Sequence, residues 1–202
     1  MKLKTNEKTG DETLPVSEKR ISRGAVQGGL ESGSNTVQVV EFLLGKEHFA
    51  VDLFNVREVV EYKTITQLPD TPAYIKGIID LRGEITTIID LKERLNIIRL
   101  SGATDENSRI IVLDDSITKS KTGIMVDDVS SVTTFDRSAV DTSTSMVEQN
   151  NSAIIGIIKK KIRIKDRDAH ELLILIDIRR LVSDVSAKID MTNLETAEEV
   201  AA

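Results

Sequence analysis

The sequence predicts a mostly β protein, built as two small β-barrels packed on one another. Three observations carry that reading. Short runs rich in Val, Ile and Leu recur along the chain, broken by Gly, Asp and Asn, at spacings too close for strand–helix–strand crossovers, which argues against a parallel doubly wound sheet. The order of these runs repeats once, in a unit of roughly 60 to 70 residues, too long for a solenoid repeat and too short for an independent large sandwich. With 4 Phe, 2 Tyr and no Trp in 202 residues, the core must be aliphatic.

The elements follow in order. Residues 1–35 contain no aromatic and five of the eleven glycines, with charges scattered without period; such a segment buries too little surface to offset its ordering entropy and is expected to be a disordered arm. Val37–Leu44 reads as a strand, Gly45-Lys46-Glu47 as a turn, and His48–Asp52 as the returning strand. Val56, Val59 and Val60 recur at i, i+3 and i+4, which predicts a short helical turn over Phe54–Glu61. Pro69 and Pro72 punctuate a loop, and Lys76–Asp90 reads as two β-branched strands meeting at Arg82-Gly83, where glycine supplies the positive φ of a tight hairpin. Asp90 is placed to cap a short helix, Leu91–Leu95. Ser101–Ser108, with its Gly, Asp and Asn, is a linker by composition.

The second half answers the first. Arg109–Leu113 is a strand, Asp114–Thr122 a turn and Gly123–Asp127 the return; Val129 and Val132 follow as Val56 and Val59 do. Gly156-Ile157-Ile158 matches Gly77-Ile78-Ile79, and Leu175–Leu181 matches Ile88–Leu95. The second hairpin is longer, which predicts about two extra residues per strand and a wider tip, and its strand Lys159–Lys165 partly alternates basic and apolar residues.

Composition also excludes chemistry. With no cysteine there is no disulfide, thiol nucleophile, iron–sulfur cluster or Cys-based zinc site, and His48 and His170 are too far apart for a paired-histidine motif. Asp114-Asp115 and Asp127-Asp128 lack the spacing of a calcium loop and read as solvated turns. No phosphate-binding glycine motif or serine nucleophile elbow occurs, so no catalytic residue, cofactor or metal is expected. The net charge of −6 repels phosphate backbones and anionic lipid, and no apolar stretch approaches a membrane span or signal peptide; a soluble, cytoplasmic protein that binds no nucleic acid and inserts in no membrane is expected. A small-barrel nucleic-acid binder or other interaction module remains the competing class.

What is left is an interaction module, and its motifs are recognisable. Phe49-Ala50-Val51-Asp52, Val56-Arg57-Glu58-Val59, Pro72-Ala73-Tyr74-Ile75-Lys76-Gly77-Ile78, Asp80-Leu81-Arg82-Gly83, Ile89-Asp90-Leu91 and Gly123–Val129 together resemble the CheW family of chemotaxis adaptors. The resemblance covers about Val37–Val185. It implies a domain over 36–185 of two intertwined five-stranded SH3-like barrels with short helical turns, a first barrel at about 37–100 and a second at about 109–182, followed by a tail at 186–202. It further implies a non-enzymatic bridge in two-component signal transduction. In that bridge the tip of a methyl-accepting receptor binds in a groove between the barrels, and the regulatory domain of the histidine kinase CheA binds at the barrel ends. By motif position, Val56, Glu58, Val59, Gly77, Arg82, Val129 and Val132 match the family's receptor-binding set. Two local departures touch the first hairpin: Asp80 stands where the family usually has Asn, and Thr87 where a proline often interrupts the strand. The long second hairpin is a larger one. No receiver domain follows the second barrel, so a CheV-like fusion is not expected.

Overall fold

The computed structural model describes residues 35–98, 105–143, 153–164 and 167–183; the expected arm, save Asn35, and the tail at 186–202 lie outside them. The strands are β1 (Thr36–Leu44), β2 (Glu47–Asp52), β3 (Val56–Glu61), β4 (Ile75–Leu81), β5 (Glu84–Asp90), β6 (Arg109–Leu113), β7 (Thr122–Val126), β8 (Asp128–Asp136), β9 (Val140–Asp141), β10 (Ile154–Ile164) and β11 (Arg167–Ile176). Among the described residues two one-turn helices close the halves, α1 (Leu91–Arg94) and α2 (Ile178–Val182). Among the described residues the strands form two sheets, one ordered β8-β1-β2-β11-β10-β9 and the other β3-β6-β7-β5-β4. This is the two-barrel SH3-like fold that the repeat predicts.

The barrels do not follow the sequence halves. β1 and β2 pair with β8 and β11, while β3 pairs with β6, and β5 with β7. The expected division at 37–100 and 109–182 is therefore corrected: one barrel runs continuously from β3 to β7, and the other joins β1 and β2 to β8–β11. The chain crosses over after Asp52 and again after Val126, not at the expected linker. Residues 101–104 of that linker lie outside the described residues. At 105–107 it forms a 3₁₀ turn whose Asp105 pairs with Lys76 at 2.9 Å.

This exchange explains why the strands read as continuous apolar runs. Val39 faces one barrel interior with Val37, Ala50, Ile158, Leu173 and Leu175, whereas Val40 enters the shared core between the barrels with Phe42, Val51, Val56, Ile111 and Ile124. Ile110 and Ile111 divide likewise between the second barrel interior and the shared core. Strands buried on both faces have no polar face to alternate.

The expected helical turn at Phe54–Glu61 is a strand. A 3₁₀ turn occupies only Leu53–Asn55, and β3 follows with a bulge between Val56 and Glu58. The bulge adds a residue to one strand, so positions three apart fall on one face: Val56 and Val59 both enter the shared core, and Val60 the barrel interior. The same bulge in β8 separates Val129 from Ser131, and the register places Val129 opposite Phe42 as Val56 lies opposite Leu113. The pseudo-twofold thus equates Val56 with Val129 and Val59 with Val132, as the repeat predicts.

In the second hairpin the extra length lies entirely in the strands. β10 and β11 have 11 and 10 residues against 7 each in β4 and β5. The pairing of Ile164 with Arg167 leaves two residues at the tip, as Leu81 and Glu84 do in the first hairpin, so the expected wider tip is corrected.

Candidate partner-binding site

The Arg82-Gly83 turn holds both residues at positive φ, +58° and +84°, and the Asp80 carboxylate accepts a 2.7 Å bond from the Gly83 N–H. An aspartate or asparagine serves equally as that acceptor, so the departure at Asp80 leaves the turn intact. Thr87, at the place of the family's proline, uses the N–H that proline lacks: it donates to the Lys121 carbonyl at 2.9 Å and ties β5 to β7.

At this tip Arg82 reaches across to β3. One guanidinium nitrogen lies 3.1 Å from Glu58 Oε2; the arginine side chain is 59% exposed while the glutamate is largely buried. The bulge at Arg57 turns Glu58 away from the shared core toward Val112 and Leu81. Beside the pair is a shallow depression of about 140 Å³ lined by Arg57, Glu58, Leu81, Arg82, Glu84, Thr86, Val112 and Lys121.

A chain of charges borders it. Asp115 receives Lys121 Nζ at 2.6 Å and Arg57 Nη1 at 2.7 Å, and Lys121 lies 3.7 Å from Glu84. The Lys121 hydrogen bond, with the Lys121 and Arg57 charges behind it, holds the Asp115 carboxyl below its ordinary value. Asp115 was expected to be only a solvated turn residue. It lies on a turn, where Asp114 Oδ1 accepts from the Ser116 N–H, but it also bridges two cations. Arg57, Glu84, Asp115 and Lys121 escape a sequence reading because the β6–β7 turn meets β3 and the β4–β5 hairpin only through the long-range pairing of β6 with β3 and of β7 with β5. The one local signal was the placing of Arg57 and Glu84 next to Glu58 and Gly83.

The structure brings the other expected site residues together only in part. Val56, Val59 and Val129 are buried in the shared core, with Val56 2% exposed. Val132 is 51% exposed on β8. Gly77, at φ +140° in a bulge of β4, faces the backbone of Thr66, whose N–H and carbonyl both bond Ile78. A side chain there would overlap the Thr66 carbonyl oxygen.

The other barrel carries the pseudo-equivalent mouth, filled differently. The paired registers set Glu41 at the place of Val112, Lys160 at that of Leu81, His48 at that of Lys121 and Glu171 at that of Glu84. Glu41 is 1% exposed and takes Lys160 Nζ at 2.6 Å on Oε2, and His48 Nε2 lies 3.0 Å from Glu171. An ion pair thus occupies the position where the β3–β7 barrel offers the apolar walls of Val112 and Leu81. Among the described residues no cluster of three metal-binding side chains occurs, and no helix is long and apolar enough to cross a membrane.

Two exchanged SH3-like barrels with a charged, shallow rim define a protein-interaction module. The family model for the CheW-like domain matches residues 38–186. The chemotaxis protein CheW of Treponema pallidum is 30% identical over 148 residues, covering 72% of this chain and 82% of that protein. CheW of Klebsiella aerogenes is 31% identical over 146 residues, covering 70% and 79%. The crystal structure of the scaffolding protein TtCheW from Thermoanaerobacter tengcongensis aligns at a TM-score of 0.58 and 32% identity, over 72% of this chain and 91% of that one. The chain belongs to the CheW-like family, and is a chemotaxis coupling adaptor of the scaffolding kind.

Proposed function

We propose that the helical tip of a methyl-accepting receptor docks at the rim formed by Glu58 and Arg82, at this mouth of the β3–β7 barrel, while the regulatory domain of the kinase CheA meets other barrel ends. The observation that carries this is the Glu58–Arg82 pair. A half-exposed guanidinium, drawn at one nitrogen to a largely buried carboxylate at the edge of a shallow depression, presents its remaining donors to a partner. The neighbouring Arg57, Asp115, Lys121 and Glu84 give the rim both signs of charge, which favours register and specificity over bulk affinity. Val132 adds an exposed apolar side chain on the strand pseudo-equivalent to β3.

Capture of a purified receptor cytoplasmic-tip fragment tests the reading. Arg82→Ala lowers the affinity about tenfold with an unchanged melting curve, the loss expected of a moderate interface contact. Equal affinity in the folded variant overturns it.

A further inference from the structure

The β10–β11 hairpin carries a row of cations that the receptor-facing rim does not use. Six of the chain's 27 Lys and Arg residues fall within positions 159–167, in a chain of net charge −6. Strand alternation sorts them by face. Lys160 turns inward to Glu41, whereas Lys159, Lys161 and Arg163 are exposed on the opposite face, with successive members roughly 6.6–6.8 Å apart along the strand. Lys161 lies opposite the exposed His170, and Lys159 opposite Leu172, which is 54% exposed. Lys161 makes no ion pair among the described residues, Lys159 feels the exposed carboxylate of Asp141 without a direct pair, and Arg163 reaches Asp168 only at 3.7 Å with both side chains largely exposed.

We propose that this face docks a short acidic segment of another protein, its carboxylates pairing with Lys159, Lys161 and Arg163 and an apolar side chain covering Leu172. Charge complementarity argues for such a segment over an extended polyanion. A duplex or an anionic bilayer carries dense charge well beyond the strip and would meet the net-negative body as well, whereas a short peptide engages only charges within about one Debye length, ~8 Å at physiological salt. An exposed leucine beside the cations is matched by a peptide side chain and by nothing on a phosphate backbone. The strip belongs to the β8-β1-β2-β11-β10-β9 sheet and the Glu58–Arg82 rim to the other, so the two surfaces are separable by mutation.

The test titrates the full chain with a fluorescein-labelled twelve-residue peptide carrying six glutamates and three leucines, read by anisotropy at low and high salt. Phosphatidylserine-containing vesicles and duplex DNA are run alongside. The peptide binds the native chain, and binding falls about tenfold in Lys159→Glu/Lys161→Glu/Arg163→Glu, the sum expected of three exposed charge pairs. Leu172→Ser weakens it several-fold, and capture of the receptor fragment is unchanged in both variants. If the triple reversal fails to fold, Lys161→Gln/Arg163→Gln gives the same direction with a smaller loss. Undiminished peptide binding in a folded variant, no peptide binding at low salt, or tighter binding of vesicles or DNA to this face overturns the proposal.

Discussion

At Gly77 the backbone sits at φ +140° with the Thr66 carbonyl where a Cβ would stand, so any side chain must both strain the chain and push back the Thr66 backbone. Gly77→Ala is expected to lower stability by about 2 kcal/mol or more, read as a fall in the urea midpoint; an unchanged midpoint contradicts the close approach. The valines separate by burial. Val56→Asp places an unpaired charge in the shared core and abolishes cooperative melting, while Val132→Asp shifts stability by no more than about 0.5 kcal/mol and weakens receptor-fragment capture. Intact folding of Val56→Asp would remove Val56 from the core. Asp115 supplies the pH dependence of the rim. Its folded pKa is depressed, so the stabilisation from its pairs is fully present above the ordinary value of 3.8 and fades as pH falls through the lower folded value. An NMR titration should place the Asp115 midpoint below 3.8 and move it up in Lys121→Ala; a native midpoint at or above 3.8 contradicts the pairing.

Among the elements, those with purely local causes were legible in the sequence. The Arg82-Gly83 hairpin and the helix caps of Asp90 and Asp177 each rest on residues within three positions of one another. β3 was misread because a bulge imitates helical spacing: the three-residue step from Val56 to Val59 is set by pairing with β6, some fifty residues away in sequence, which no local window contains. Glu41 reads in the sequence simply as part of a strand, yet it is 1% exposed, with its Oε1 buried without a partner. Lys160→Met leaves that carboxylate buried and unpaired and is expected to cost ~3–5 kcal/mol, whereas Glu41→Val/Lys160→Leu, which copies Val112 and Leu81 of the other barrel, is near neutral or stabilising. Urea unfolding of the three proteins checks this. A double variant no better than Lys160→Met contradicts the pseudo-equivalence of the two mouths.

Over the whole molecule the exchange of strands is what makes one functional unit of two repeats. One barrel is assembled across the crossovers from β1, β2 and β8–β11 around the contiguous β3–β7 barrel, and basic residues at matched positions of the closing helices fasten the two. Lys92 on α1 grips Asp127, whose other oxygen accepts the Gly45 N–H at 2.6 Å, and Arg179 on α2 reaches Asn55 and the Ser116 carbonyl. Arg94 links the two helices directly, lying over the Tyr74 ring and donating to the Leu181 carbonyl at 2.8 Å. The repeat is visible in the order of residues and the resemblance implies intertwined barrels, but which strands are exchanged is not legible, because contiguous and exchanged pairings bury the same apolar runs. The rim inherits that limit: motif position puts Glu58 and Arg82 in one set, while their pairing and the addition of Arg57, Asp115 and Lys121 come only with the folded chain. The most direct test of the rim as the coupling surface is receptor-stimulated kinase activity, reconstituted with the native chain, Arg82→Ala, and the swap Glu58→Arg/Arg82→Glu. The account predicts that both variants melt like the native chain and that both lose coupling, because the partner reads the side chains in their places. Full coupling by Arg82→Ala, or restored coupling in the swap, would show that the pair only holds the barrel together and would contradict the account.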